Sequence, residues 1–143
     1  MQASTLKVRT EIGRRDLNNV VLAVFAPLLI VVGVAGFFIP PAQSLTSGAT
    51  PYNVFHILFG ALGLLALTFQ SGRFASIFNA GFGLIDLYQA LASYLDLPPR
   101  QHFLWTQVDD ILHLVIGLTL AIIGFYGIFK GRPFQEPSGI QGD

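Results

Sequence analysis

Four long apolar runs constrain the fold of this chain more than any other feature. They cover about residues 20–39, 54–69, 74–95 and 108–129. A helix of about twenty apolar residues crosses the hydrocarbon core of a bilayer. Only 11% of the 143 residues are charged, about half the share of a soluble domain. The sequence therefore predicts an all-α membrane protein whose four transmembrane helices form an antiparallel bundle.

The remaining segments flank a predicted transmembrane domain at residues 20–132. Residues 1–19 form a basic segment, and residues 133–143 form a polar tail. Of the eight Lys and Arg residues, only Arg100 falls on the far side of the predicted spans. Because positive charge collects in cytoplasmic loops, we expect both termini to be cytoplasmic, in a bacterial inner membrane or a thylakoid membrane.

Composition excludes several classes of site and partner. The chain has no cysteine and a formal net charge of zero. Disulfides, iron–sulfur clusters and thiolate metal sites are therefore excluded, and the clustered positive charge that binds nucleic acid is lacking. The expected partners are the lipid bilayer and either other membrane subunits or further copies of this chain.

Two of the apolar runs begin with the same short motif. In each, a histidine follows a polar residue by three positions and precedes a glycine by four. The members are Asn53, His56 and Gly60 in the second run, and Asp110, His113 and Gly117 in the fourth. Both runs point the same way across the membrane, which suggests two helical hairpins related as a parallel internal repeat. The other two runs match poorly, so a chance likeness is the alternative.

The polar residues and histidines of this motif have a structural interpretation. Asn53 and Asp110 are good N-cap residues for the two helices. Each histidine then lies about 5 Å below its cap at 1.5 Å per residue, close enough to the interface to be hydrogen-bonded there.

The same histidines also have a ligand-binding interpretation. His56 and His113 would be axial ligands of a haem or a chlorophyll, and Gly60 and Gly117 would leave clearance for the flat ring. The glycines serve close helix packing equally well. A metal site that combines Asp110 with the histidines is a weaker alternative, because the ligand spacing of known metal sites is missing.

Asp86 is the one ionisable residue well inside a predicted span. Such a group is costly in hydrocarbon and normally faces the bundle with a partner or water. Tyr88, Gln89 or one of the histidines are its expected partners. A proton path that joins Asp86 to His56 or His113 is one interpretation, and a polar clasp that fixes the helix order is the other.

Two stretches of the chain resemble the signature motifs of a known family. They are YNVFHILFG at residues 52–60, followed by Gly63 and Leu64, and VDDILHLVIG at residues 108–117. Their order and spacing are similar to those of an uncharacterised family of small four-span membrane proteins, common in cyanobacteria and actinobacteria. The resemblance covers about residues 20–129 and implies a membrane-bound four-helix bundle, but no reaction. It lends no support to Asp86, where that family has a small-residue stretch.

The sequence leaves two main functions open. The first is a non-catalytic accessory or assembly subunit of a larger energy-converting or photosynthetic complex, with a tetrapyrrole or carotenoid as a candidate ligand. The second is a redox or proton-handling membrane enzyme subunit that uses His56, His113 and Asp86. No catalytic motif is recognised, so the non-enzymatic function is favoured. A transporter is disfavoured because four spans enclose little space.

Overall fold

Four long helices make up most of the described chain. The computed structural model of the protein describes residues 16–69 and 71–130, of which 81% are helical and none forms a strand. The long helices are α1 (Leu17–Ala35), α2 (Thr50–Thr68), α3 (Gly72–Tyr94) and α5 (Gln107–Lys130); a 3-10 turn (Pro41–Gln43) precedes α2, and the short α4 (Arg100–Phe103) precedes α5. The all-α prediction is confirmed for these residues. Most of the predicted basic segment and the whole predicted polar tail lie outside them.

Three of the long helices, α1, α2 and α5, are long and apolar enough to cross a membrane. Helix α3 has 23 residues, but Asn79, Asp86 and Gln89 lower its mean hydropathy. All three of these side chains are buried, at 4% exposure or less, whereas Ile77 and Leu84 on the opposite face are each 50% exposed. Helix α3 is therefore polar toward the protein interior and apolar toward the outside.

The first close helix pair is α1 with α2, and glycines set its spacing. A Cβ atom added at Gly60 of α2 would lie 2.7 Å from the Ala26 carbonyl oxygen and 3.0 Å from the Ile30 nitrogen, both on α1. Only a glycine allows the two backbones to come this close. Gly33 of α1 faces the start of α2, at Asn53 and Ile57, so the two helices are antiparallel.

The second close pair, α3 with α5, repeats this register. A Cβ atom at Gly117 of α5 would lie 2.9 Å from both the Gly83 carbonyl oxygen and the Leu87 nitrogen on α3. Each of these residues follows its counterpart in the first pair by 57 positions, and the same offset separates the first residues of α2 and α5, Thr50 and Gln107. Helices α1 and α3 match poorly in sequence, yet they make equivalent backbone contacts.

The two pairs lie side by side in the same orientation. Phe25 of α1 contacts Phe82 of α3 with ring centroids 5.4 Å apart, and Asn18 of α1 is hydrogen-bonded to Asn79 of α3. From the Asn18–Asn79 contact to the Phe25–Phe82 contact the residue numbers rise in both helices, so α1 and α3 are parallel. We call the end with residues 36–49 and 95–106 the outer end, after the predicted orientation, and the opposite end, with Arg73, the inner end.

The boundaries of α1 and α2 differ from the prediction. Helix α1 ends at Ala35 rather than near residue 39, and Gly36 caps it before the two prolines are reached. Helix α2 begins at Thr50 instead of residue 54, with Pro51 in its first turn, where a missing N–H is tolerated. Asn53 thus lies inside the helix, and the prediction that it caps α2 is wrong.

The aromatic side chains of the outer end are divided between interior and surface. Tyr52 and Trp105 are only 3% and 7% exposed and pack around Ala92, whereas Tyr94 is 86% exposed. Tyr52 and Trp105 therefore pack into the protein interior at this end, whereas Tyr94 lies on its surface. Both buried residues have polar atoms that the interior must accommodate.

Candidate functional site

A hydrogen-bonded network at the outer end centres on Asp109. Its carboxylate accepts bonds from the Tyr52 hydroxyl at 2.8 Å, from the Ser47 N–H at 2.8 Å, and from the N–H and hydroxyl of Thr106 at 2.7 Å and 2.9 Å. The Thr106 hydroxyl in turn accepts a bond from the Asp109 N–H at 3.2 Å. Thr106 and Asp109 thus form a capping box at the start of α5. Asp110 lies one position further into the helix, so the prediction that it caps α5 is wrong.

The outer half of helix α3 carries three buried polar side chains on the face toward α5. They are Asp86, Gln89 and Ser93, with exposures of 4%, 3% and 1%. Their spacing of three and four residues keeps them on one side of the helix. A Cβ atom added at Gly117 would lie 2.9 Å from the Asp86 Cβ, which fixes this side as the one that faces α5. We call these three residues the α3 polar face.

Two residues of α5 lie opposite the upper part of the α3 polar face. Gly117 is beside Asp86, the lowest member, and the helices are antiparallel. His113 is one helical turn from Gly117 toward the outer end, which places it level with Gln89. Asp110 is a further turn in that direction and is level with Ser93. His113 is 5% exposed, whereas Asp110 is partly exposed at the outer end.

Most polar atoms of this group have no hydrogen-bond partner within residues 16–69 and 71–130. The atoms concerned are Gln89 Oε1, Ser93 Oγ, Asp110 Oδ1 and His113 Nδ1. The Asp86 carboxylate likewise makes no hydrogen bond or ion pair with the described residues. Tyr88, one of its expected partners, donates instead to the Pro98 carbonyl oxygen at 2.8 Å.

The two histidines have different surroundings. His56 Nδ1 lies 2.9 Å from the Tyr52 carbonyl oxygen, to which it donates, and its ring centroid is 4.1 Å from that of Tyr52. This bond leaves Nε2 as the nitrogen with a free lone pair. The His113 ring meets Trp105 edge-on at 5.7 Å. His56 is thus held by a bond to its own helix, whereas His113 Nδ1 has no hydrogen-bond partner in the described residues.

The glycines next to the histidines contact helix backbones. Gly60 lies against α1 and Gly117 against α3, with the short distances given above. The clearance that a tetrapyrrole ring would need beside these glycines is occupied by the neighbouring helix. The contacts favour the packing interpretation of the glycines, and ligation by His56 and His113 stays a prediction.

A metal centre has no ligand set in the described parts of the chain. Within residues 16–69 and 71–130, no three His, Cys, Asp or Glu side chains converge on one point. Asp96, on the same side as the histidines, lies 3.6 Å from the Arg100 Nε in an exposed ion pair.

An apolar layer closes the α3 polar face on its inner side. The Phe82 ring, one turn below Asp86, has its centroid between 5.3 and 6.1 Å from four other phenylalanine rings; these belong to Phe25, Phe55, Phe59 and Phe78. A Cβ atom at Gly83 would lie 2.7 Å from the Gly117 carbonyl oxygen, so α3 and α5 touch directly at this level.

The inner end has a second, separate polar contact. The Asn79 side-chain amide donates to the Asn18 side-chain oxygen at 2.9 Å and to the Asn18 carbonyl oxygen at 3.2 Å. Both residues are at most 2% exposed. This contact joins α1 to α3 and has the form expected of a structural clasp.

An apolar groove of about 410 Å³ runs between α1 and α5. Its lining includes Val20, Val24 and Leu28 from α1 and Val115 and Thr119 from α5. The Thr119 hydroxyl donates to the Val115 carbonyl oxygen of its own helix at 2.8 Å. The groove therefore offers hydrocarbon surface and no free polar group.

Part of this site was predictable from the sequence. The predicted residues include Asp86, His113 and Asp110, with Gln89 as an expected partner of Asp86. Ser93 was not among the predicted site residues, although its spacing from Gln89 and Asp86 places it on the same helical face. The chain matches no family model, no curated protein and no solved structure. The resemblance to the four-span bacterial family remains a hypothesis.

Proposed function

We propose that this chain is an integral membrane protein with four crossing helices that binds and releases a proton at Asp86. The position of Asp86 carries the proposal. Its side chain is buried, has no partner in the described residues, and belongs to a helix whose other face is apolar. An ionised carboxylate in such a setting is costly, and protonation removes that cost.

The pairing of the helices supports four crossings and an internal repeat. Helix α3 is about as long as α5, and each hairpin packs in the same register. Arg73 and Lys130 lie at the inner end and Arg100 at the outer end. The positive-inside rule then assigns both termini to the cytoplasm, in a bacterial inner or thylakoid membrane.

The titratable groups around Asp86 come from two neighbouring helices. Helix α5 contributes His113 and Asp110, and α2 contributes His56, at the level of His113, and Tyr52, which interacts electrostatically with Asp86. Helix α1 has no titratable residue. Since no Lys or Arg of α1, α2 or α5 lies at this depth, nothing cationic holds Asp86 ionised except a proton on a histidine.

His113 suits the role of a relay for this acid. It lies one helical turn from the level of Asp86 toward the outer end, and its Nδ1 has no partner among the described residues. A neutral imidazole can accept a proton on one nitrogen and release one from the other. The proposed activity is thus reversible proton binding, without a covalent intermediate.

Infrared difference spectroscopy of the protein in lipid tests the assignment. A pH step should change a carboxylic-acid carbonyl band, and the Asp86→Asn variant should lose that band. Asp96→Asn is the matched control, because Asp96 is an exposed carboxylate whose removal should leave the band intact. A band that survives in Asp86→Asn and shifts in another variant would contradict the proposal.

An accessory subunit is the second candidate function, favoured by the exposed apolar face of α3. Gly81 lies on this face with nothing within 4 Å of an added Cβ, between the exposed side chains of Ile77 and Leu84. Such a notch suits close contact with a helix of another membrane subunit. Gly81→Phe would then abolish co-purification with a larger complex in mild detergent, whereas wild-type protein that purifies alone would count against this function.

A further inference from the structure

We infer that water reaches Asp86 from the outer side only, along a path between α3 and α5. The inference rests on the proposed function of Asp86 and adds the side from which the proton comes. The path begins at Asp110, passes His113 and Gln89, and ends at Asp86.

The polar atoms along this path form a continuous series. Ser93 and Asp86 are seven residues apart, which is about 10 Å along a helix. Ser93 Oγ and Asp110 Oδ1 lie at the upper level, and Gln89 Oε1 and His113 Nδ1 at the middle level. The upper and middle levels therefore combine polar atoms from α3 and α5, and Asp86 lies below them beside Gly117.

These atoms need partners that the described residues do not supply. A buried polar group without a hydrogen bond costs about 1–3 kcal/mol, and a buried water needs two to four polar partners. The upper and middle levels each offer two such atoms, and a water at one level can bond to a water at the next or to the Asp86 carboxylate below. Water satisfies the whole series, whereas a larger ligand would have to separate two helices that touch at Gly117.

The upper end of the path meets the outer surface at charged groups. Asp110 is partly exposed, and the Arg100 guanidinium donates to the Ser93 carbonyl oxygen. The Arg100 side chain is 41% exposed and is paired with Asp96. Hydrated charges thus stand where the path would open.

The lower end of the path is closed by hydrocarbon and by backbone contact. The phenylalanine layer around Phe82 lies below Asp86, and the Gly83 backbone touches α5. The next polar group on α3, Asn79, is two turns deeper, beyond this layer. Its amide nitrogen is bonded to Asn18, and its Oδ1 has no partner in the described residues.

Asp86 would therefore exchange its proton with the outer compartment alone. A hydronium ion at Asp110 passes its proton along the waters to one Asp86 oxygen, and neutral water remains behind. The proton returns by the same route when the outer pH rises. A path with one open end conducts no current by itself.

Cysteine labelling tests the path, since the natural chain has no cysteine. Single Ser93→Cys, Gln89→Cys and Leu91→Cys variants are treated from the outer side of sealed vesicles with silver ion, a water-soluble thiol reagent close to water in size. Leu91 is the matched control, because it lies at the same depth on the exposed apolar face. A thiol in hydrocarbon forms little thiolate, so we expect Ser93→Cys and Gln89→Cys to react about tenfold faster than Leu91→Cys.

Three results would overturn the inference. The first is that Ser93→Cys and Gln89→Cys react as slowly as Leu91→Cys, and the second is that they react faster from the inner side. The third is that Asn79→Cys reacts from the outer side as fast as these two variants. The conservative Ser93→Cys change keeps the test valid even if Gln89→Cys does not fold. The labelling pattern is independent of the infrared band, so failure of the path and failure of the Asp86 assignment can be told apart.

Discussion

At the scale of single residues, two adjacent carboxylates of α5 have opposite environments. Asp109 is 1% exposed and accepts bonds from Tyr52, Ser47 and Thr106. Asp110 has a buried oxygen without a partner in the described residues. Neighbours in sequence therefore divide into a structural acid and an acid available to water.

This contrast predicts different effects of the same substitution. Asp109→Asn should lower the free energy of unfolding by about 2 kcal/mol, because hydrogen bonds to a charged acceptor contribute about 1.5–3 kcal/mol. Asp110→Asn removes no such bond and should change stability far less. Thermal unfolding of both variants in one mild detergent measures the difference, and equal losses would contradict the network described for Asp109.

At the scale of elements, glycines decide how closely the helices approach. Gly124 of α5 lies on Ala80 of α3, where an added Cβ would be 2.7 Å from the Ala80 Cα. Gly81, one residue further along α3, faces outward with no atom within 4 Å of an added Cβ. The two glycines thus have opposite tolerance for a methyl group.

Alanine substitutions test this tolerance directly. Gly124→Ala should destabilise the protein by about 1–3 kcal/mol, because the α3 backbone must move to accommodate the methyl group. Gly81→Ala should be neutral or stabilise by up to about 1 kcal/mol, the helix propensity gained over glycine. The melting temperatures of the purified variants give the comparison. A stable Gly124→Ala protein would mean that α3 and α5 pack in another register.

The helices also differ in how much of them could be predicted from the sequence. The four helices were predictable from apolar runs, since hydrophobicity over about twenty residues is a strong signal. Their ends were less so: α2 begins four residues early because Pro51 is well placed in a first turn. The sequence did not predict that α1 packs on α2 in the same register as α3 packs on α5. This register depends on backbone contacts, which the small residues Ala26 and Gly83 both permit.

The candidate site was predictable only in part for a related reason. Asp86 and His113 stand out as polar residues in apolar runs. The burial of Tyr52 and Trp105 did not follow from sequence, because amphipathic rings suit both an interface and an interior. The Asp109 network depends on Ser47, which is 62 positions away and is brought near only by the fold.

At the scale of the whole molecule, access of water to Asp86 from the outer side requires α3 to cross the membrane. Its outward face is apolar, yet it is not among the three helices that qualify as spans by length and hydropathy alone. If α3 crosses, Arg73 and residues 95–106 lie in different compartments, and the Asp86 path opens to the outer one. The number of crossings of the complete hairpin pair follows from this single point.

The most direct test uses single cysteines at Arg73 and Gln101, which are both exposed. Arg73 lies in the first turn of α3, and Gln101 lies in α4, beyond the other end of α3. In intact cells treated with a membrane-impermeant thiol reagent, Gln101→Cys should be labelled, and Arg73→Cys should be labelled only after the membrane is opened. Labelling of both variants from one side would contradict the crossing of α3 and with it the proposed path to Asp86.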